Sequence, residues 1–184
     1  MKSLSKTQQH TYTNFLNAFV DVYEKIPIEK ISIKMVADRA GYNRSSFYLY
    51  FSDVYALRAA AENALIQELQ KDVDAILRSD TDIHVDDFID SFAMVSSPYA
   101  RRIHIFCQSE AFRQHLFEII KPIFMKINGI AEMNKKTEYL LSLVFSIMLH
   151  NIDYCCNDQN EMTLQEAIEY TGEFILPGLQ NLLC

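Results

Sequence analysis

Helix breakers are scarce in this chain: 184 residues contain only four glycines and four prolines. That leaves little turn chemistry for the many short strands of an all-β fold. Cysteine is as rare, at positions 107, 155, 156 and 184. Two of the four are adjacent, a spacing that seldom bridges, and no C-x-x-C occurs, so neither a disulfide framework nor a zinc ribbon is expected. Long apolar runs are missing too. The most apolar stretch, residues 139–149, is broken by Ser142 and Ser146 and falls far short of the ~20 residues that span a bilayer. The opening MKSLSKTQQH lacks the apolar core of a signal peptide. These absences predict a reduced, soluble, cytoplasmic chain with no membrane segment.

Catalytic signatures are also absent. There is no glycine-rich phosphate loop, no G-x-S-x-G and no H-E-x-x-H. Ser146, His150 and Asp153 share one helix face, where they cannot form a nucleophile–base–orienter relay beside an oxyanion hole. His104 with Cys107, or His150 with Cys155, would supply two metal ligands, and no set of four has recognisable spacing. No enzyme, metal or cofactor is therefore expected.

What is present is an uneven charge. The chain carries −7 overall, yet residues 1–58 hold eight Lys or Arg against five Asp or Glu, a net +3 that leaves −10 for the rest. Phosphates attract only the first of these parts, as in a protein that meets DNA at one end.

Helical spacing accounts for nearly the whole length. Phe15, Ala18, Phe19, Val22 and Tyr23 form one stripe of a first helix over residues 7–23. Ile26-Pro27-Ile28 ends it. Ser32 is placed to cap a second helix, whose inner residues are Ile33, Val36, Ala37 and Ala40. Gly41 ends that helix in the left-handed conformation. Asn43 caps a third, running through Phe51, with Tyr42 and Phe47 as a hydrophobic staple. A long fourth helix over 53–77 buries Leu57, Ala61, Ala64, Leu65 and Leu69. Residues 78–84 read as a loop, and further helices follow at about 85–95, 99–107, 110–126, 135–154 and 163–183. No segment alternates with period two. The fold class is all-α.

Two short helices joined by a glycine turn are a helix-turn-helix, whose second member lies in the major groove. Phe47, Tyr50 and Phe51 fall on its inner face, while Arg44, Ser45 and Tyr48 fall on the outer one. Arginine suits the O6 and N7 of guanine, and a tyrosine hydroxyl suits a phosphate oxygen. Ser32, Lys34, Asn43, Arg44, Ser45, Ser46, Tyr48 and Tyr50 are the candidate contacts to double-stranded DNA.

The run KISIKMVADRAGYNRSSFYLYFSDVYAL, residues 30–57, closely resembles the DNA-binding segment of the tetracycline-repressor (TetR) family. The likeness rests on Ile31-Ser32-Ile33, Val36-Ala37, Ala40-Gly41, Phe47-Tyr48, Tyr50-Phe51 and Leu57, with Ala18-Phe19 and Tyr23 before them. It implies an all-α homodimer: a three-helix DNA-binding head at 1–55 on a helical ligand-binding and dimerisation bundle at 56–184, usually a repressor. One departure stands out. Family members often carry a lysine early in the fourth helix, and Ser52-Asp53-Val54 offers none.

For the bundle, the apolar helices over 135–154 and 163–183 are the expected dimer seam, through Leu140, Val144, Ile147, Phe174, Ile175 and Leu179. Phe92, Phe106, Phe117 and Phe124 are candidate walls of a pocket for a small apolar effector. Ser146 and His150, on a polar line that begins at Ser142, would fix its polar end. Polar groups on that line, if buried, need partners from a ligand, water or the second subunit. The alternative function keeps the fold and drops the DNA: a co-regulator that docks a partner protein through its acidic body.

Overall fold

Helices form where apolar spacing and caps coincide. The computed structural model describes residues 5–78, 97–157 and 161–183, and no strand occurs among them. Helix α1 spans Lys6–Tyr23, α2 Ile33–Ala40, α3 Arg44–Tyr48 and α4 Val54–Arg78. Then come α5 (Ala100–Phe106), α6 (Glu110–Ile127), α7 (Lys135–Cys155) and α8 (Leu164–Leu183). The expected helix over 85–95 and the residue Phe92 lie outside the described residues. The chain divides into two compact units, 1–65 and 66–184, with the division inside α4.

Unit 1 is built around Phe15. Its ring is fully buried and meets Tyr42, Phe47, Tyr50 and Phe51 at centroid distances of 5.3, 5.6, 6.2 and 6.2 Å. Tyr42 packs on Phe15 of α1, and its hydroxyl accepts from Asn14 Nδ2 at 3.3 Å. Tyr42 and Phe47 sit on the same buried ring, so α1 sets the angle between α2 and α3. Arg39 of α2 pairs with Asp21 of α1 at 2.5 Å, an exposed contact worth little in water. Tyr23 carries the Arg58 guanidinium over its ring at 5.4 Å, and Arg58 also bonds Glu62.

Gly41 closes α2 with φ 77°, and the N–H of Tyr42 reaches back to the Ala37 carbonyl at 2.9 Å. A Cβ at Gly41 would meet nothing within 4 Å, so strain there is purely of the backbone. Gly41→Ala should thus lower stability by about 1–2 kcal/mol. A urea midpoint unchanged from the parent would contradict the left-handed turn.

Unit 2 carries a separate apolar core. Val73 of α4 packs with Ile119 and Ile123 of α6. Lys126 at the end of α6 donates to the Leu77 carbonyl at 2.9 Å, satisfying one of the open acceptors at the α4 terminus. Arg102 and Tyr99 reach Glu68 and Asp72 of α4 at 2.6 and 2.8 Å, fastening the start of α5. Phe106, on α5, and Phe112, on α6, are buried and face each other at 5.6 Å. Helix α7 buries Leu140, Leu141, Val144, Phe145, Met148 and Ile152.

Candidate functional site

The helix-turn-helix is held by three side-chain or backbone stops. Ser32 Oγ accepts from the Met35 N–H at 3.3 Å and starts α2. Gly41 ends α2. Asn43 Oδ1 accepts from both the N–H and the hydroxyl of Ser46, at 2.8 and 3.0 Å, and starts α3. Helix α3 is shorter than the apolar pattern suggests. It ends at Tyr48, and Leu49, Tyr50 and Phe51 form a turn in which the last two N–H groups share the Phe47 carbonyl at 3.0 Å. The aromatic cluster causes this: Tyr50 and Phe51 both turn inward onto Tyr12 and Phe15.

Seen from outside, the candidate contacts separate into two groups. Ser32, Lys34, Asn43, Arg44, Ser45 and Tyr48 are exposed, Tyr48 by 59% despite its size. Ser46 and Tyr50 are half-buried, one tied to the Asn43 cap and the other packed on Tyr12. Two exposed residues were not anticipated from sequence. Leu49 is 79% and Tyr55 59% exposed, just after α3 and just inside α4. Asp53 caps α4, accepting from the Ala56 N–H at 2.7 Å. That bond, with a smaller one from the Ser52 hydroxyl, holds its carboxyl below the usual carboxylate range. The cap is therefore ionised at neutral pH and weakens only in acid, as pH falls through that depressed value.

Two hollows lie among the described residues of unit 2. The first is an apolar cleft between α6, α7 and α8, about 610 Å³ including the solvent at its mouth. Phe124, Ile127, Met148, Asn151, Ile168, Thr171 and Leu176 are among its walls, and none of the described residues that line it is charged. The second is polar, lined by His104, Cys107, Arg113, Ser146, His150 and Asp153. His104 Nδ1 lies 3.0 Å from Asp153 Oδ1, without the alignment of a hydrogen bond. Burial pushes the Cys107 thiol up to about 12, so it is neutral at physiological pH. Arg113 is occupied by the Cys107 carbonyl and Glu110. No metal-binding group of three or more ligands occurs among the described residues.

The expected pocket residues are thus dispersed. Phe124 lines the apolar cleft, Ser146 and His150 the polar hollow. Phe106 lies in the core, and Phe117 packs edge-on against Phe145 at 5.3 Å. On the polar line of α7, Ser142 and Ser146 give their hydroxyl protons to the Tyr139 and Ser142 carbonyls at 2.7 and 2.8 Å. Ser146 and His150 are exposed. Of the expected dimer residues, Leu140 and Val144 are buried within the protomer. Ile147, Ile175 and Leu179 are half-buried along the cleft, and Phe174 is 86% exposed.

No family model and no curated protein matches the sequence. Solved structures do match. The fatty acid degradation regulator FadR from Bacillus halodurans superposes with a TM-score of 0.70 over 97% of this chain and 98% of its own, at 14% identity. Thermus thermophilus FadR, a TetR-family transcriptional repressor in complex with lauroyl-CoA, superposes at 0.54 over 91% and 94%, at 15% identity. The fold is TetR-like. The likeness in fold covers nearly the whole chain, residues 30–57 included. No helix among the described residues is long and apolar enough to cross a membrane.

Proposed function

We propose that this protein is a homodimeric, cytoplasmic transcriptional regulator, a repressor, that binds operator DNA through α2 and α3 and responds to a mostly apolar small molecule in unit 2. One observation carries the DNA-binding part. The exposed surface of the capped helix-turn-helix presents Arg44, Ser45 and Tyr48 together, with Lys34 on the neighbouring helix. Its inward face is wholly taken up by aromatic packing, so the outer face is left for DNA. Lauroyl-CoA in the Thermus neighbour supports an effector with a long apolar portion. An effector would act by changing the separation of the two reading heads, which must sit roughly 34–36 Å apart to enter successive major grooves. In the polar hollow the His104–Asp153 pair stands beside a Cys107 thiol that burial keeps neutral, an arrangement that lends catalysis no support.

Dimerisation is supported by exposed apolar side chains on one face each of α7 and α8. These are Tyr139, Leu143 and Tyr154 on α7, and Tyr170, Phe174 and Leu182 on α8. Such stripes at helical spacing are what two-fold four-helix interfaces bury.

The test is an operator selection followed by binding measurements. Arg44→Ala should cost roughly 1–3 kcal/mol on the selected site and relax the preference at one base pair. Tyr48→Phe should weaken binding to all sequences alike, as loss of a phosphate contact does. If neither variant differs from the parent, or if nothing is selected, the co-regulator reading with an acidic docking body takes its place.

A further inference from the structure

The apolar cleft of unit 2 has Asn128 at its wall, its amide given to the Phe124 carbonyl, and a second polar arrangement whose protons can be counted. Asn151, on α7, is buried at 7% exposure, and Thr171 lies opposite on α8. Asn151 Nδ2 donates to Thr171 Oγ1 at 2.9 Å and points toward the Ala167 carbonyl at 3.5 Å. Thr171 Oγ1 has two acceptors within reach, the Ala167 carbonyl at 2.5 Å and Asn151 Oδ1 at 3.2 Å. A hydroxyl has a single proton. The shorter contact has the stronger hold on it, so Asn151 Oδ1 keeps only the longer, weaker share of one donor. A buried acceptor served that poorly gains free energy when a second donor reaches it.

The surrounding wall restricts what that something can be. Phe124, Met148, Ile168 and Leu176 are apolar, and among the described residues no Lys, Arg or His lines the cleft to neutralise an anion. We propose that the cleft binds an apolar-chain molecule whose inserted part is uncharged and carries a hydrogen-bond donor, a hydroxyl or an amide N–H, given to Asn151 Oδ1. This deepens the effector reading above and rests on it only for the consequence at DNA. Asn151 is the specificity-determining residue and Thr171 positions it.

Three probes of equal chain length test this by calorimetry on the full chain at pH 8: 1-decanol, decyl methyl ether and decanoate. Decanol should bind saturably. The ether, which accepts but cannot donate, should bind about fivefold weaker, as for one neutral hydrogen bond. Decanoate should bind at least about fiftyfold weaker, because its charge would be buried unpaired. Leu176→Trp, which fills the cleft, should abolish decanol binding with the helical circular dichroism retained. Asn151→Leu should erase the preference for decanol over the ether. Decanoate binding as tightly as decanol, decanol binding that survives Leu176→Trp, or no saturable decanol binding would each overturn the proposal. Operator affinity is a separate readout: decanol that binds without changing it keeps the site and removes its effector role.

Discussion

Phe15→Ala should destabilise unit 1 by about 3–5 kcal/mol, the range for deleting a fully buried phenylalanine. The expectation is at the upper end because Phe15 touches the rings of Tyr42, Phe47, Tyr50 and Phe51 at once. Each aromatic pair adds about 0.5–1.5 kcal/mol beyond buried area. Domains of this size are stable by only about 5–15 kcal/mol, so most of the margin would be lost. The angle between α2 and α3 should loosen with it, and DNA binding should fall even where the chain remains folded. Phe15→Leu, which refills much of the volume, should cost less than half as much. Urea denaturation followed by circular dichroism measures both. A loss for Phe15→Ala below about 1 kcal/mol would show that the ring cluster is not what sets the head.

Phe174→Glu is expected to convert a dimer to monomers at micromolar concentration and to remove operator binding with it. Phe174 is 86% exposed on α8, so the substitution leaves the core of the protomer untouched and its melting as a monomer should hardly change. In an interface, by contrast, it would bury an unpaired carboxylate at two symmetry-related places. A Leu140→Glu variant discriminates. Leu140 is buried inside the protomer, so that change should unfold the chain rather than dissociate it. Sedimentation showing a monomeric parent, or an undisturbed Phe174→Glu dimer, would move the interface elsewhere.

Local signals were legible without a structure wherever chemistry acts between near neighbours. Ser32, Gly41 and Asn43 announce caps and a stop because a side chain or a left-handed backbone satisfies groups two or three residues away. The apolar stripe of α1 and the outer placement of Arg44, Ser45 and Tyr48 follow from helical periodicity in the same way. What periodicity does not carry is which of several apolar faces another element will cover. Leu140, Val144 and Phe174 look alike in sequence, yet the first two are packed inside unit 2 and the third faces solvent. The same holds for the serines of α7, whose protons go to carbonyls of their own helix instead of to a ligand or a partner. Tyr42 meets Phe15, a contact 27 residues apart that no local pattern encodes. Asn151 and Thr171, 20 residues apart, meet only because α7 and α8 pack side by side. Sequence alone determined the helices, their caps and the outward face of α3; packing between distant helices decided the cleft, the Asn151–Thr171 pair within it and which apolar side chains stay exposed.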